Sequence, residues 1–172
     1  MLGAFDGAAA TKPSRAQDVR ILNSLLLIEY LQAAFYAEAT AARGVTGELR
    51  RFAEVAGDHE RQHVEELRTL LGGNARAKPT FRFGDAVKNN GKFTAAALTL
   101  EETIAAAYIG QAANLTGERI LGVARIVAVE ARHAAWIRAV AGRLPAPYAA
   151  DPAKTPVQVR KTLDKTGFVR SS

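Results

Sequence analysis

HERQH at residues 59–63 and VEARH at residues 129–133 are the two segments that decide the fold. Each contains a glutamate followed three residues later by a histidine, and these pairs use two of the chain's three histidines. Positions i and i+3 share one face of an α-helix, so each pair brings a carboxylate and an imidazole together. The second pair lies in an apolar stretch, residues 127–136, where burying an unpaired glutamate would cost on the order of several kcal/mol. The two segments therefore predict helical sites whose glutamates are paired or bind a cation.

A glutamate followed seven residues later by a tyrosine occurs once before each of these segments. Glu29 is followed by Tyr36, and Glu101 is followed by Tyr108. Seven residues are about two helical turns, so each glutamate and its tyrosine lie on one helix face. Both glutamates also have apolar neighbours in the sequence. Each half of the chain thus has the order glutamate, tyrosine, turn, glutamate–histidine pair, which is typical of a four-helix bundle that binds two ions symmetrically.

The spacing of apolar and helix-breaking residues predicts an all-α fold. We predict four long helices, at about residues 14–44, 46–72, 94–115 and 117–142, and a short C-terminal helix at about residues 155–165. Residues 74–92 are rich in Asn, Gly and Pro, with a short extended stretch at residues 80–83, and are predicted to form a long crossover between helices 2 and 3. A bundle with this long central connection is of the ferritin-like kind.

The length of 172 residues corresponds to one domain. We expect a loose N-terminal leader over residues 1–13, the four-helix bundle over residues 14–143, and a C-terminal strap and short helix over residues 144–172. No stretch is long and apolar enough to predict a membrane-spanning helix. The N-terminus lacks the pattern of a signal peptide, so the sequence as it stands predicts a cytoplasmic protein, or an exported one if a leader has been removed.

Composition excludes several kinds of site. The chain has no cysteine, which excludes disulfides, thiolate metal sites and iron–sulfur clusters. Its only methionine is Met1, so no interior methionine could be an axial ligand, and we expect no haem. The net charge is +6, but the basic residues are scattered and no nucleic-acid-reading motif accompanies them, so no specific nucleic-acid partner is predicted.

The chain resembles the ferritin-like superfamily over about residues 18–150. Within that superfamily it is similar to the desiccation-related or stress-linked ferritin-like proteins. The segments that carry the resemblance are LIEY at 27–30, HERQH at 59–63, LE at 100–101 with YIG at 108–110, VEARHAAW at 129–136 and PAP at 145–147.

The resemblance implies a site for two metal ions. Glu60 and Glu130 would bridge the ions. Glu29 and Glu101 would each supply a terminal carboxylate to one ion, and His63 and His133 would each supply an imidazole to one ion. Such a mixture of oxygen and nitrogen ligands suits iron, which we expect first, or manganese, and zinc could occupy the same site. We prefer Glu101 to its neighbour Glu102, because Glu101 lies on the same helix stripe as Tyr108. Glu102 is the alternative.

Three further residues are expected near the predicted ligands. Tyr36 and Tyr108 could be redox-active neighbours of the ions, they could donate hydrogen bonds to the carboxylates, or they could be core aromatics with a satisfied hydroxyl. His59 has no counterpart in the second half, where Val129 stands, and is expected beside the ligands or at the surface. Two glutamines, Gln32 and Gln111, are expected at the helix surface, and the less favoured alternative is a position beside the ligands. The alternative for both glutamate–histidine pairs is an ordinary surface contact.

These features lead to three functional hypotheses. The first is a di-metal oxidase or peroxidase-type protein that oxidises Fe(II) or reduces O2 or peroxide in stress protection. The second is an iron-storage cage, which the basic composition does not favour. The third is a non-catalytic protein of the desiccation or stress response in which the ions only stabilise the bundle. The expected partners are metal ions and O2 or peroxide, and a homodimer is a further expectation.

Overall fold

The computed structural model describes residues 12–169, and these form an all-α bundle as the sequence predicts. The helices are α1 (Arg15–Ala41), α2 (Gly47–Leu71), α3 (Asn90–Ala112), α4 (Gly117–Val140) and α5 (Pro156–Thr166). Two short 3₁₀ helices, Gly72–Asn74 and Gly84–Val87, lie in the long connection between α2 and α3. Of the expected leader over residues 1–13, residues 1–11 lie outside the described residues, as do residues 170–172 at the C-terminus.

The bundle consists of two helical hairpins. α1 packs along α2, α3 packs along α4, and the hairpins meet through contacts of α1 with α3 and of α2 with α4. α2 is amphipathic, because it buries one face, including Phe52, Ala56 and Leu67, and leaves charged residues on the other. α1 is apolar around most of its circumference, because it also contacts α3 and the crossover. Within residues 12–169, no helix combines the length and apolarity needed to cross a bilayer.

An aromatic cluster closes one end of the bundle. The ring of Phe35 in α1 stacks on that of Phe93 in α3, with 5.3 Å between centroids. Phe83 from the crossover and Phe168 from the C-terminus pack edge to face at 5.3 Å, and both also contact Phe35. The backbone amide of Arg82 donates to the carbonyl of Phe168 at 2.9 Å. The crossover and the C-terminus are therefore attached to the same part of the core.

The boundaries of α3 differ from the prediction. The helix begins at Asn90 rather than near residue 94, and it ends at Ala112 rather than residue 115. Asn89, which lies in the predicted crossover, is the N-cap, and its side chain accepts a hydrogen bond from the amide of Lys92 at 2.9 Å. Such a cap contributes about 1 kcal/mol, which offsets the cost of about 1 kcal/mol for Gly91 in the first turn.

The other helix ends are closer to the prediction. Ser14 caps α1 as predicted, although α1 ends at Ala41, three residues before Gly44. Gly44 instead allows the crossover to pass close by, because a Cβ placed there would lie 1.7 Å from the carbonyl oxygen of Lys88. The C-terminal helix begins with a capping box in which the side chain of Thr155 and the side chain of Gln158 each bind the other's backbone amide.

The C-terminal strap crosses α3 at a glycine. The amide of Lys154 donates to the carbonyl of Ala106 at 2.9 Å, and its ammonium donates to Thr103 Oγ1 at 3.1 Å. A Cβ added to Gly110 would lie 2.1 Å from the carbonyl oxygen of Lys154. Only a residue without a side chain permits this close approach of two backbones.

We predict opposite effects for two glycine-to-alanine substitutions in α3. Gly110→Ala should destabilise the protein by about 1–3 kcal/mol, because backbone atoms of the strap must move. Gly91→Ala is the matched control: its nearest contact would be an ordinary 3.7 Å, and alanine favours the helix by up to about 1 kcal/mol. Urea unfolding measures both changes in free energy. Equal stabilisation by the two substitutions would contradict the close approach of the strap.

Candidate metal centre

Four fully buried glutamates lie at the centre of the bundle, one from each long helix. They are Glu29 in α1, Glu60 in α2, Glu101 in α3 and Glu130 in α4, and each has a relative exposure of 0%. His63 and His133 are buried beside them, at 7% and 3% exposure. Burial excludes the alternative that the glutamate–histidine pairs are ordinary surface contacts.

The six side chains form two overlapping groups, each compact enough to hold a cation. In each group, one nitrogen or oxygen atom per residue lies within 4.8 Å of the others. We call them site A, with Glu29, Glu60, His63 and Glu130, and site B, with Glu60, Glu101, Glu130 and His133. Glu60 and Glu130 belong to both sites. The structure thus brings together all six residues that the sequence predicted as ligands.

Both imidazoles turn the same nitrogen toward the carboxylates. His63 Nδ1 lies 2.8 Å from an oxygen of Glu130, 3.1 Å from Glu60 and 3.5 Å from Glu29. His133 Nδ1 lies 3.1 Å from Glu60, 3.6 Å from Glu101 and 3.8 Å from Glu130. Each histidine therefore faces its helical i−3 partner and two carboxylates from other helices.

Several polar atoms of this cluster lack a hydrogen bond of acceptable geometry. Among residues 12–169, seven buried side-chain nitrogen or oxygen atoms are unsatisfied, and six belong to sites A and B. They are Glu29 Oε2, Glu60 Oε1, Glu101 Oε2, both carboxylate oxygens of Glu130 and His133 Nδ1. Leaving a buried polar atom unpaired costs about 1–3 kcal/mol. Cations among these atoms would satisfy them together, so the residues present fit a metal centre.

The shared carboxylates titrate differently because they interact closely. Burial and the charges of Glu130 and Glu29 raise the pKa of Glu60 well above its usual value. Burial also opposes ionisation of Glu130, but the adjacent imidazoles of His133 and His63 outweigh it and lower its pKa to about 2. Burial would lower the pKa of His63, but its close contacts with the carboxylates of Glu130, Glu29 and Glu60 raise it to about 12. Without cations, the cluster therefore holds protons that balance part of its negative charge.

Two tyrosines cross between the halves of the bundle. The hydroxyl of Tyr36 in α1 donates to Glu101 in α3, and the hydroxyl of Tyr108 in α3 donates to Glu29 in α1 at 2.5 Å. Burial, followed by the nearby carboxylates, raises the pKa of both phenols, so both remain protonated donors. Of the alternatives left open by the sequence, the structure supports hydrogen bonding to the carboxylates.

Gln32 belongs to the cluster, which is the less favoured of the two expectations for it. The expected surface position is wrong, because Gln32 is fully buried and its Nε2 donates to Glu101 Oε1 at 3.0 Å. Gln111 was also expected at the surface and is buried, with its amide donating to the backbone of Gly110. α1 has no clear polar face, so its pattern of polar residues does not show which way Gln32 points. The signal in the sequence is that Gln32 lies three residues after Glu29 and therefore on the same helix face.

His59 lies directly against His133. The two rings stack with centroids 5.1 Å apart and an angle of 9° between their planes. Nδ1 of His59 lies 2.8 Å from Nε2 of His133, on the side of the ring opposite the carboxylates. Burial and then the neighbouring imidazoles lower the pKa of His59, so it is neutral at pH 7. Of the two expectations for His59, the position beside the predicted ligands is the one the structure supports.

The structure also distinguishes Glu101 from its neighbour. Glu102 is only half-buried and accepts a hydrogen bond from Arg138 Nε at 2.9 Å, away from sites A and B. An equivalent contact occurs in the other half of the bundle, where Arg68 donates to the hydroxyl of Tyr30 at 2.8 Å. Tyr30, which follows Glu29, and Glu102, which follows Glu101, thus each contact an arginine rather than the cluster.

The hydrogen bonds predict unequal effects of removing the two tyrosine hydroxyls. Tyr108→Phe should destabilise the metal-free protein by about 1–3 kcal/mol, because no other hydroxyl or amide side chain among residues 12–169 donates a hydrogen bond to Glu29. Tyr36→Phe should cost less, because Gln32 still donates to Glu101. Denaturant unfolding in the presence of a chelator measures both. A larger loss for Tyr36→Phe would contradict this assignment of donors.

Comparison with known families agrees with this geometry. The model of one family, described as the ferritin-like domain, matches residues 17–143, which include every residue of sites A and B. No curated protein gives a significant match. The narrower resemblance to desiccation-related proteins remains a prediction. Because the family match extends over well over half of the sequence, and the bundle has the predicted architecture, the chain belongs to the ferritin-like domain family.

Proposed function

We propose that this protein binds two divalent metal ions in sites A and B and uses them to oxidise Fe(II) or to reduce O2 or peroxide, in protection against stress. The observation that carries the proposal is the set of unsatisfied carboxylate and imidazole atoms that four helices direct into one buried space. A ferritin-like protein with this cluster is compatible with di-metal binding.

The overlap of the two sites supports the assignment of ligands. Glu60 and Glu130 occur in both groups, so they would bridge the ions. Glu29 and His63 would complete the ligands of the ion in site A, and Glu101 and His133 those of the ion in site B. Four carboxylates balance the charge of two divalent cations if both imidazoles bind in the neutral form.

The donor set favours iron or manganese. It contains carboxylate oxygens and imidazole nitrogens and no thiolate, which is the ligand chemistry of those two metals, although zinc could compete for it. When bound, iron would supply the electrons that O2 or peroxide accepts.

The surrounding residues would orient the ligands and limit access. The hydroxyls of Tyr36 and Tyr108 hold one oxygen of Glu101 and one of Glu29, which leaves the other oxygen of each carboxylate free for a cation. His63 is the most exposed of the six predicted ligands, at 7%. The cluster is therefore shielded from solvent except beside His63.

A non-catalytic role for the metals is the second candidate. Each of the four long helices supplies one carboxylate to the cluster, so two ions would connect all four helices. Ions bound only to the folded state would stabilise it by linkage. Catalytic turnover, which this candidate lacks, distinguishes it from the oxidase.

The ligand assignment predicts the metal content of three variants. Wild type loaded anaerobically with Fe(II) or Mn(II) should retain two ions per chain, and Glu130→Gln should lose most of both because it weakens both sites. Glu101→Gln should retain about one. Glu102→Gln is the matched control: it lies beside Glu101 but outside both sites, so it should retain two. Elemental analysis after equilibrium dialysis against buffer of known metal concentration measures the content, and wild type without bound metal would refute the proposal.

The same preparation tests turnover. Exposing the Fe(II)-loaded protein to O2 or peroxide should give ferric absorbance, and excess Fe(II) should sustain consumption of the oxidant. Stable metal binding without consumption would instead support the non-catalytic candidate. Sedimentation of the same sample would separate a monomer or dimer from an iron-storage cage.

Metal binding should release protons. The pKa of His63 is about 12 in the metal-free protein, so at pH 7 its Nδ1 carries a proton that a cation must displace. The apparent affinity for Mn(II) should therefore rise between pH 6 and pH 8, by about tenfold per pH unit for each proton displaced. Titration with a pH indicator in weak buffer measures the release. An affinity independent of pH would contradict binding through the imidazoles.

A further inference from the structure

Sites A and B are related by the internal repeat of the chain, but the contacts around them are unequal. The glutamates, histidines and tyrosines of the two halves correspond to one another. Two neighbouring residues do not: Gln32 follows Glu29 by three residues, while Ile104 follows Glu101 by three. His59 directly precedes Glu60, while Val129 directly precedes Glu130. In both cases the polar residue is in the first half and contacts a ligand of site B.

The histidine of site B is held by a partner that the histidine of site A lacks. An imidazole that binds a cation through Nδ1 carries its proton on Nε2, and the partner of that proton sets the ring orientation. His133 Nε2 lies 2.8 Å from Nδ1 of His59, which can accept a hydrogen bond from the Nε2–H group. Within residues 12–169, the Nε2 of His63 makes no hydrogen bond, and Val129 offers none. His133 is therefore fixed for binding through Nδ1.

The terminal carboxylate of site B is also held more firmly. Oε1 of Glu101 accepts hydrogen bonds from both Tyr36 and Gln32, so its other oxygen is oriented toward the cluster. The corresponding oxygen of Glu29 accepts from Tyr108 alone, because Ile104 has no donor. Hydrogen bonds to ligands typically change metal affinity by about 10–100-fold.

We propose that the two positions bind metal unequally: site B holds its ion tightly and fills first, and site A binds more weakly and exchanges its ion with solution. His59 and Gln32 are positioning residues that produce this difference. The lower exposure of His133 relative to His63 acts in the same direction, because the ion in site A is nearer to solvent. This inference rests on the proposed di-metal function and adds the order of loading to it.

Anaerobic titration with Co(II), followed by calorimetry and by visible absorption, tests the order. Wild type should bind in two steps whose dissociation constants differ by about 10-fold or more. Glu101→Gln should remove the tight step and Glu29→Gln the weak one, because each affects one site. Two equal steps, or loss of the tight step in Glu29→Gln, would overturn the proposal while leaving di-metal binding intact. The absence of Co(II) binding would instead contradict the proposed function itself.

Exchanging residues between the halves tests the two positioning residues. His59→Val copies the second half and should weaken only the tight step, by about 10–100-fold, with a changed absorption spectrum for the first Co(II). Gln32→Ile should weaken the same step. Val129→His offers His63 the missing partner and should tighten only the weak step. A general loss of stability would weaken both steps together, so equal effects on both steps, or no effect on either, would contradict the positioning role.

Discussion

The burial of four carboxylates inside an apolar helical bundle is the constraint on which the rest of the structure depends. Glu29, Glu60, Glu101 and Glu130 are completely shielded from water, and such charges are costly to bury without partners. Imidazoles, phenols and one amide supply part of the compensation, and cations would supply the remainder. The helices cannot shift relative to one another without separating these groups, so the cluster also sets how the two hairpins pack.

The internal repeat explains how a single chain builds such a cluster. Each hairpin supplies one terminal carboxylate, one shared carboxylate and one imidazole, and each sends a tyrosine across to the carboxylate of the other. This crossing makes the halves mutually dependent, because each terminal glutamate accepts its tyrosine hydrogen bond from the other half. Gln32 and His59 depart from the repeat, and both serve the same site. A nearly symmetric scaffold thus supports two chemically different positions.

The segments outside the four long helices stabilise the bundle at its periphery. The crossover and the C-terminus meet at the aromatic cluster around Phe35, and the strap lies on α3 at Gly110. The aromatic cluster also adjoins the site, because the rings of Phe35 and Phe93 contact Tyr36, whose hydroxyl donates to Glu101. Packing at this end of the bundle therefore supports a donor to the cluster.

The sequence by itself determined the all-α fold, the long crossover and the six clustered residues, because helical periodicity and buried charge leave local patterns. The i and i+3 spacing of Glu60 and His63 is one such pattern. Only the tertiary structure decided which residues from different helices meet. The contacts of His59 with His133 and of Gln32 with Glu101 join positions 74 and 69 residues apart. No local period encodes such contacts, because they depend on how separate helices rotate and pack against one another.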